Sequence, residues 1–292
     1  MVNQINLNKR DFPRLPKILD VLAYTIVIIL LIFALFPIYW TLNTAFKPLN
    51  EFLTYPPTFV PSEFTLQNFD LALNQFGGKE SLLDSATVAI LTFLLSMLVS
   101  IPAAYSLARY RTGGNFLAFN ILSFRFMPPI IPVVALYILS TDFGKATGFK
   151  IFDTYYLLIP AMSMPIIPFV VWIMKGFFEE IPVEIEEAAQ IDGASWFQLM
   201  RLIVLPLASP GIVSASLFAI VFAWNELLFV MVLTAANIET ITEQLPGIRI
   251  ASTDTHWGAL AAMGIIMIIP VTLLSFFLQK YIIRGLTYGA VK

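Results

Sequence analysis

Six stretches of about 20 mainly apolar residues dominate this chain, at positions 21–40, 86–105, 116–139, 155–174, 212–233 and 259–278. A bilayer core of about 30 Å takes about 20 such residues in a helix. In lipid the backbone must satisfy its own hydrogen bonds, which leaves helices or a closed barrel. These runs lack the strict alternation of barrel strands, so the expected fold class is an all-α membrane protein with six transmembrane helices. Composition agrees: 58% of the 292 residues are apolar and 12% charged, against about 25% charged in soluble domains.

Seventeen Lys and Arg against nineteen Asp and Glu give a net charge of −2, which argues against nucleic acid as a partner. Cysteine is absent, so disulfides, thiolate metal sites and cysteine nucleophiles are excluded. With His256 the single histidine, no metal site is expected. His256 adjoins Trp257 just outside the sixth run and reads as an interface anchor. The first run ends in Phe36-Pro37-Ile38-Tyr39-Trp40, too bulky for signal cleavage, so it is expected to be retained.

Orientation follows the bias of Lys and Arg toward cytoplasmic segments. With the N-terminus inside, the inner segments hold eleven basic residues and the outer segments five. Both termini are therefore expected in the cytoplasm of a multi-pass protein of the cytoplasmic (inner) membrane. The expected organisation is a tail at 1–20, a first helix and outer loop at 21–81, a transmembrane core at 82–281 and a tail at 282–292. Within the outer loop, 64–76 is amphipathic and suited to the membrane surface.

The inner loop at 175–207 carries most of the information. Pro182 suits the first position of a helix, and Glu184, Glu186 and Glu187 suit its positive end. Gly193 is a natural terminator. About eleven residues lie between, roughly 16 Å of helix and too short to span. At helical spacing Ile181, Ile185, Ala188 and Ala189 form a narrow apolar stripe beside an acidic one of Glu180, Glu184 and Glu187. A second amphipathic piece, 196–203, follows and ends at Leu205-Pro206. The pattern suits a knob presented to a partner's groove; the alternative is an interfacial helix lying under the bundle.

Ionisable groups at membrane depth usually face a cavity or a partner. Arg125 falls in the third run and Glu226 in the fifth, roughly 13 Å and 21 Å from the inner end at 1.5 Å per residue. A direct pair would need tilt or bending, and snorkelling that stabilises packing is the favoured role for Arg125. Trp224-Asn225-Glu226 sets an aromatic face beside amide and carboxylate, the chemistry that binds a sugar; the alternative is polar glue between helices. Ser163 and Tyr137 complete the candidate substrate path. Pro128, Pro129 and Pro132 are expected to interrupt the third run, Pro160, Pro165 and Pro168 the fourth and Pro270 the sixth, as backbone lining a wet cavity can tolerate.

Glu187-Ala188-Ala189, three residues, Gly193, nine residues, Ile203, one residue and Leu205-Pro206 resemble, without a gap, the E-A-A-x3-G-x9-I-x-L-P signature of ABC importer permeases. Phe36-Pro37 with Phe46-Lys47-Pro48, Ala103-Ala104-Tyr105-Ser106-Leu107-Ala108-Arg109, Ala223-Trp224-Asn225-Glu226 and the C-terminal Gly285-Leu286-Thr287 to Lys292 are similar to the carbohydrate-uptake branch, in particular the smaller membrane subunit of maltose-type importers. The resemblance implies a type I importer permease fold, with Glu187, Ala188, Ala189, Asp192, Gly193, Leu205 and Pro206 coupling it to an ATPase. It further implies a second permease subunit, two ATP-binding subunits, an extracytoplasmic solute-binding protein and a sugar substrate. No cofactor is expected in this chain; ATP and magnesium would be bound by the partner ATPase. A phosphate loop needs G-x-x-x-x-G-K-[ST], and Gly77-Gly78-Lys79-Glu80 lacks both the earlier glycine and the hydroxyl. An ABC permease for amino acids, peptides or polyamines is the alternative, and an intramembrane enzyme or receptor a remote one.

Overall fold

The computed structural model describes residues 17–52, 54–250 and 256–288, and every regular element among them is helical. The basic tail at 1–16 and the terminal 289–292 lie outside the described residues. Helix α1 spans Lys17–Phe46, followed by the short α2 at Gln67–Asp70, which continues as a π turn over Leu71–Gln75. Helix α3 runs Gly78–Arg109, α4 Gly114–Ser123, α5 Ile130–Thr147 and α6 Tyr155–Glu180. A compact group follows: α7 at Val183–Ile191, α8 at Trp196–Leu199 with a π turn over Met200–Val204, and α9 at Leu205–Leu207. The chain closes with α10 at Ser209–Trp224, α11 at Leu228–Leu233, α12 at Ile241–Ile250 and α13 at Trp257–Tyr288.

Five of these helices are long and apolar enough to cross a membrane: α1, α3, α5, α6 and α13. A sixth appears if the segment Trp196–Leu207 and α10, bent by 76°, count as one span. Helices α3 and α6 pack along their lengths, α10 lies against both, and α13 joins α10 to α1. The most apolar stretch of α1 buries none of its residues, so that helix presents an apolar surface outward.

Two expected spans differ from those observed. The third is broken: α4 ends at Ser123, a 3-10 turn covers Phe124–Phe126, and α5 begins at Ile130. Met127 is extended (φ −68°, ψ 130°), the conformation favoured for a residue before proline, and Pro128-Pro129 remove two donors. The fifth is interrupted after Trp224. Asn225 turns its side-chain amide back to the Val221 carbonyl at 2.8 Å, and Glu226 Oε1 accepts the Phe229 N–H at 3.2 Å, starting α11 afresh. Helix α6, by contrast, continues through all three of its prolines, and α13 through Pro270. Arg125 Nη1 and Ser100 Oγ each donate to carbonyls on α6, those of Pro165 and Ile167, both at 3.3 Å.

The amphipathic 64–76 stretch packs into the bundle. Asn68 and Ala72 are buried, and the Asn68 amide donates to the carbonyls of Ala45 and Lys47 at the end of α1. His256 sets its ring 5.4 Å from that of Phe76, at the start of α13.

Candidate functional site

Helix α7 is shorter than its sequence suggests. Pro182 stands at the N-cap (φ −56°, ψ 132°), one position ahead of the helix, and nine residues follow. Gly193 stops it with φ +84°, the left-handed stop that glycine adopts at no steric cost. Ser195 then caps α8 reciprocally with Gln198, a capping box that satisfies two N–H groups at the start of that helix.

The stripe grouped by helical spacing divides between two faces. Ile181, Glu186 and Ala189 turn inward, whereas Ile185 and Ala188 are exposed. Burying a carboxylate demands partners, and Glu186 has them. Its Oε1 accepts Arg109 Nε at 2.6 Å and its Oε2 accepts the Tyr105 hydroxyl at 2.6 Å. Arg109 also donates through Nη2 to the Ile181 carbonyl at 2.7 Å, just ahead of α7. The Tyr105 ring stands edge-on to Phe178 at 5.5 Å. Three side chains thus clamp α7 to the last turns of α3.

With its inner side anchored, α7 offers Glu187, Ala188, Ile191, Asp192 and Gly193 to the surroundings, and α8 adds Trp196 and Phe197. Exposed apolar residues concentrated beside carboxylates mark a contact surface. Of the remaining signature residues, Leu205 is half-buried and Pro206 exposed, both at the bend into α10.

Tyr105, Arg109 and Glu186 were not among the expected site residues. Their signal was present in the spacing, since Tyr105 and Arg109 are four apart on one face near a helix end. A single sequence does not say which of three neighbouring glutamates such a pair would receive.

The expected substrate residues do not come together. The Trp224 indole is 7% exposed and donates to the Met267 carbonyl at 3.1 Å, so it packs α10 on α13 and offers no open ring face. Ser163 is buried, its hydroxyl spent on the Ile159 carbonyl at 2.8 Å. Tyr137 is exposed on α5, its ring edge-on to Phe152. Asn225 is exposed and Glu226 half-buried at the α10–α11 break. Arg125 and Glu226 do not pair: the guanidinium lies over Phe222 at 4.7 Å and Phe169 at 5.9 Å, a cation–π arrangement that holds it in place. Arg125, Met164 and Phe229 line a cleft of about 280 Å³ where the third span breaks against α6 and α11.

An all-helical bundle with apolar spans and a short helix clamped at one end and turned outward is the architecture of a membrane protein that offers a contact surface outside its spans. The chain belongs to the family of binding-protein-dependent transport system inner membrane components, whose profile matches residues 27–288. It is similar to the probable ABC transporter permease protein y4oR of Sinorhizobium fredii, 34% identical over 88% of this chain and 90% of that one. The diacetylchitobiose uptake system permease protein DasC of Streptomyces coelicolor is 30% identical over 91% of this chain and 94% of its own. The trehalose/maltose transport system permease protein MalG of Thermococcus litoralis is 29% identical over the same shares. Among solved structures, a chain of a bacterial ABC transporter that imports the acidic polysaccharide alginate shares the fold, with a TM-score of 0.75, 20% identity, and coverage of 91% of this chain and 96% of that one.

Proposed function

We propose that the chain is one of two permease subunits of an ATP-driven importer for a sugar or oligosaccharide. The partners in this reading are a second permease, two ATP-binding subunits and an extracytoplasmic solute-binding protein, with both termini of this chain in the cytoplasm. The observation that carries it is α7: clamped inward through Glu186, it leaves Glu187, Ala188 and Ile191 free to enter a groove on an ATP-binding subunit. A small side chain at Ala188 lets that groove approach closely, while the neighbouring carboxylates suit a basic rim.

Nucleotide binding can shift the bundle only if the ATP-binding subunit fits α7 differently in two states. ATP and magnesium belong to that subunit; this chain supplies a lever and no group for hydrolysis. Carbohydrate as cargo is supported by the named substrates of the DasC and MalG relatives, diacetylchitobiose and trehalose/maltose. Asn225 and Glu226, where α10 gives way to α11, are the polar groups this subunit offers the path.

Reconstituting the complete complex in liposomes tests this reading. ATP-dependent accumulation of a labelled disaccharide or oligosaccharide is the expected result. Accumulation of amino acids, peptides or polyamines alone contradicts it.

A further inference from the structure

A groove of about 540 Å³ opens where the C-terminal end of α1 meets the N-terminal end of α13. Trp40, Thr41 and Thr44 line it from α1, Lys47 from just beyond that helix, and Trp257 and Ala261 from α13. Both helices are long and apolar enough to span a bilayer, so their adjoining ends set the groove at the level of the lipid headgroups. Tryptophan favours that level. Trp40 is held in place there, its ring 6.0 Å from that of Phe36 and 5.8 Å from that of Phe59.

The groove carries a buried charge. Lys47 is 3% exposed, donates to the Thr58 carbonyl and sets its Nζ 4.9 Å from the centre of the Trp40 ring. An ammonium has three donors, and no carboxylate among the described residues lies within 4 Å of this one. Glu51, four positions on, has its own donors in the Ser62 N–H at 3.1 Å and the Thr58 hydroxyl at 3.2 Å. The threonines of the groove offer the opposite kind of partner. Thr41 and Thr44 spend their protons on the carbonyls of Pro37 at 2.9 Å and Trp40 at 2.8 Å, so their oxygens can only accept from an occupant.

Beyond Trp257 the surface of α13 leaves room for a hydrocarbon chain. Ala261, Gly264 and Ile268 follow Trp257 on one face of the helix. Nothing lies within 4 Å of the place where a Gly264 Cβ would stand, and Ile268 is exposed. A shallow furrow therefore starts at the groove and runs toward the middle of the span. The neighbouring α1 is unburied over its most apolar stretch.

We infer that this groove binds a phospholipid whose headgroup joins an anionic phosphate to free hydroxyls, as in phosphatidylglycerol. The phosphate pairs with Lys47, the headgroup hydroxyls donate to Thr41 and Thr44, and an acyl chain lies in the furrow over Gly264. Basic pockets between spanning helices suit lipid headgroups, and here the bound lipid would staple α1 to α13. The site is independent of what α7 docks.

The test counts lipids on the purified transporter complex by native mass spectrometry. The complex is first stripped of lipid in detergent, then given dioleoyl phosphatidylglycerol or dioleoyl phosphatidylcholine, which share acyl chains and differ in headgroup. Severalfold better retention of phosphatidylglycerol is expected. Lys47→Gln should abolish that preference. Gly264→Leu, which fills the furrow, should lower retention of both lipids severalfold. Thr44→Val should weaken phosphatidylglycerol and leave dioleoyl phosphatidic acid, which lacks the glycerol hydroxyls, unchanged.

Equal retention of the two lipids by the unaltered complex overturns the inference, as does undiminished phosphatidylglycerol in Gly264→Leu. Should Lys47→Gln fail to fold, Gly264→Leu and Thr44→Val decide, and normal retention in both contradicts the site. A cross-link from Trp257→Cys to another subunit, with no lipid retained, would make the groove a protein interface and likewise overturn it.

Discussion

Arg109 Nε lies 2.6 Å from Glu186 Oε1, joining the last turn of α3 to the first turn of α7 through side chains only 9% and 5% exposed. A buried pair of this kind is costly to break from one side, because the remaining charge has no water to turn to. Glu186→Ala should lower stability by about 3–5 kcal/mol, read from unfolding of the detergent-solubilised protein. Replacing both partners, Arg109→Met with Glu186→Leu, should recover most of that loss. ATP-dependent uptake should not recover with it, since an apolar contact lacks the directional grip on the Ile181 carbonyl.

Gly193 has φ +84° and open space where a Cβ would stand, so its substitution is a test of backbone strain alone. Gly193→Ala should cost about 1–2 kcal/mol. Gly193→Asn should cost less, because asparagine tolerates the left-handed region better. Amide exchange along α7 is the measurement, with faster exchange expected in the alanine variant.

Asn68 donates to the carbonyls of Ala45 at 3.0 Å and Lys47 at 2.7 Å, closing the end of α1. Asn68→Ala should cost about 1–3 kcal/mol for each acceptor left buried without a donor. A Cβ on Gly258 would run into the Asn68 amide and the Phe52 ring, so Gly258→Ala should destabilise through the same contact. The two substitutions together should cost less than their sum, as thermal melts of the single and double variants will report.

Burial, and then the neighbouring Glu239 and Asp153, raise the Glu243 carboxyl above its ordinary value of 4.5. A carboxyl with a raised folded value binds its proton more tightly in the native state, so its contribution is complete below 4.5 and is lost as pH rises through the raised value. Glu243→Gln should therefore raise the melting temperature at neutral pH and bring no gain below pH 4.5. Melts at the two pH values check the sign.

The apolar runs located the bundle because lipid leaves a chain few alternatives, and Gly193 was legible because the αL position strongly favours one residue type. The interior of the third and fifth spans was harder to read. Pro128-Pro129 and Pro165-Ile166-Ile167-Pro168 look alike as sequence, yet the first pair breaks a span while α6 continues. The inward face of α7 was not legible for a related reason: helical spacing grouped Ile181, Ile185, Ala188 and Ala189 in one stripe, whereas Arg109 and Tyr105, distant in sequence, make Glu186 a residue to bury. Trp224 shows the same limit, since an aromatic beside Asn225 and Glu226 reads as a sugar platform until the Met267 carbonyl claims its N–H.

The most direct test of α7 as the docking surface is a single cysteine in place of Ala188, joined by a short bifunctional reagent to whatever lies beside it in the assembled complex. The expected product is a covalent adduct with the ATP-binding subunit whose yield changes with nucleotide. An adduct with the solute-binding protein, or a cysteine that reacts freely with soluble maleimide in the intact complex, would contradict it.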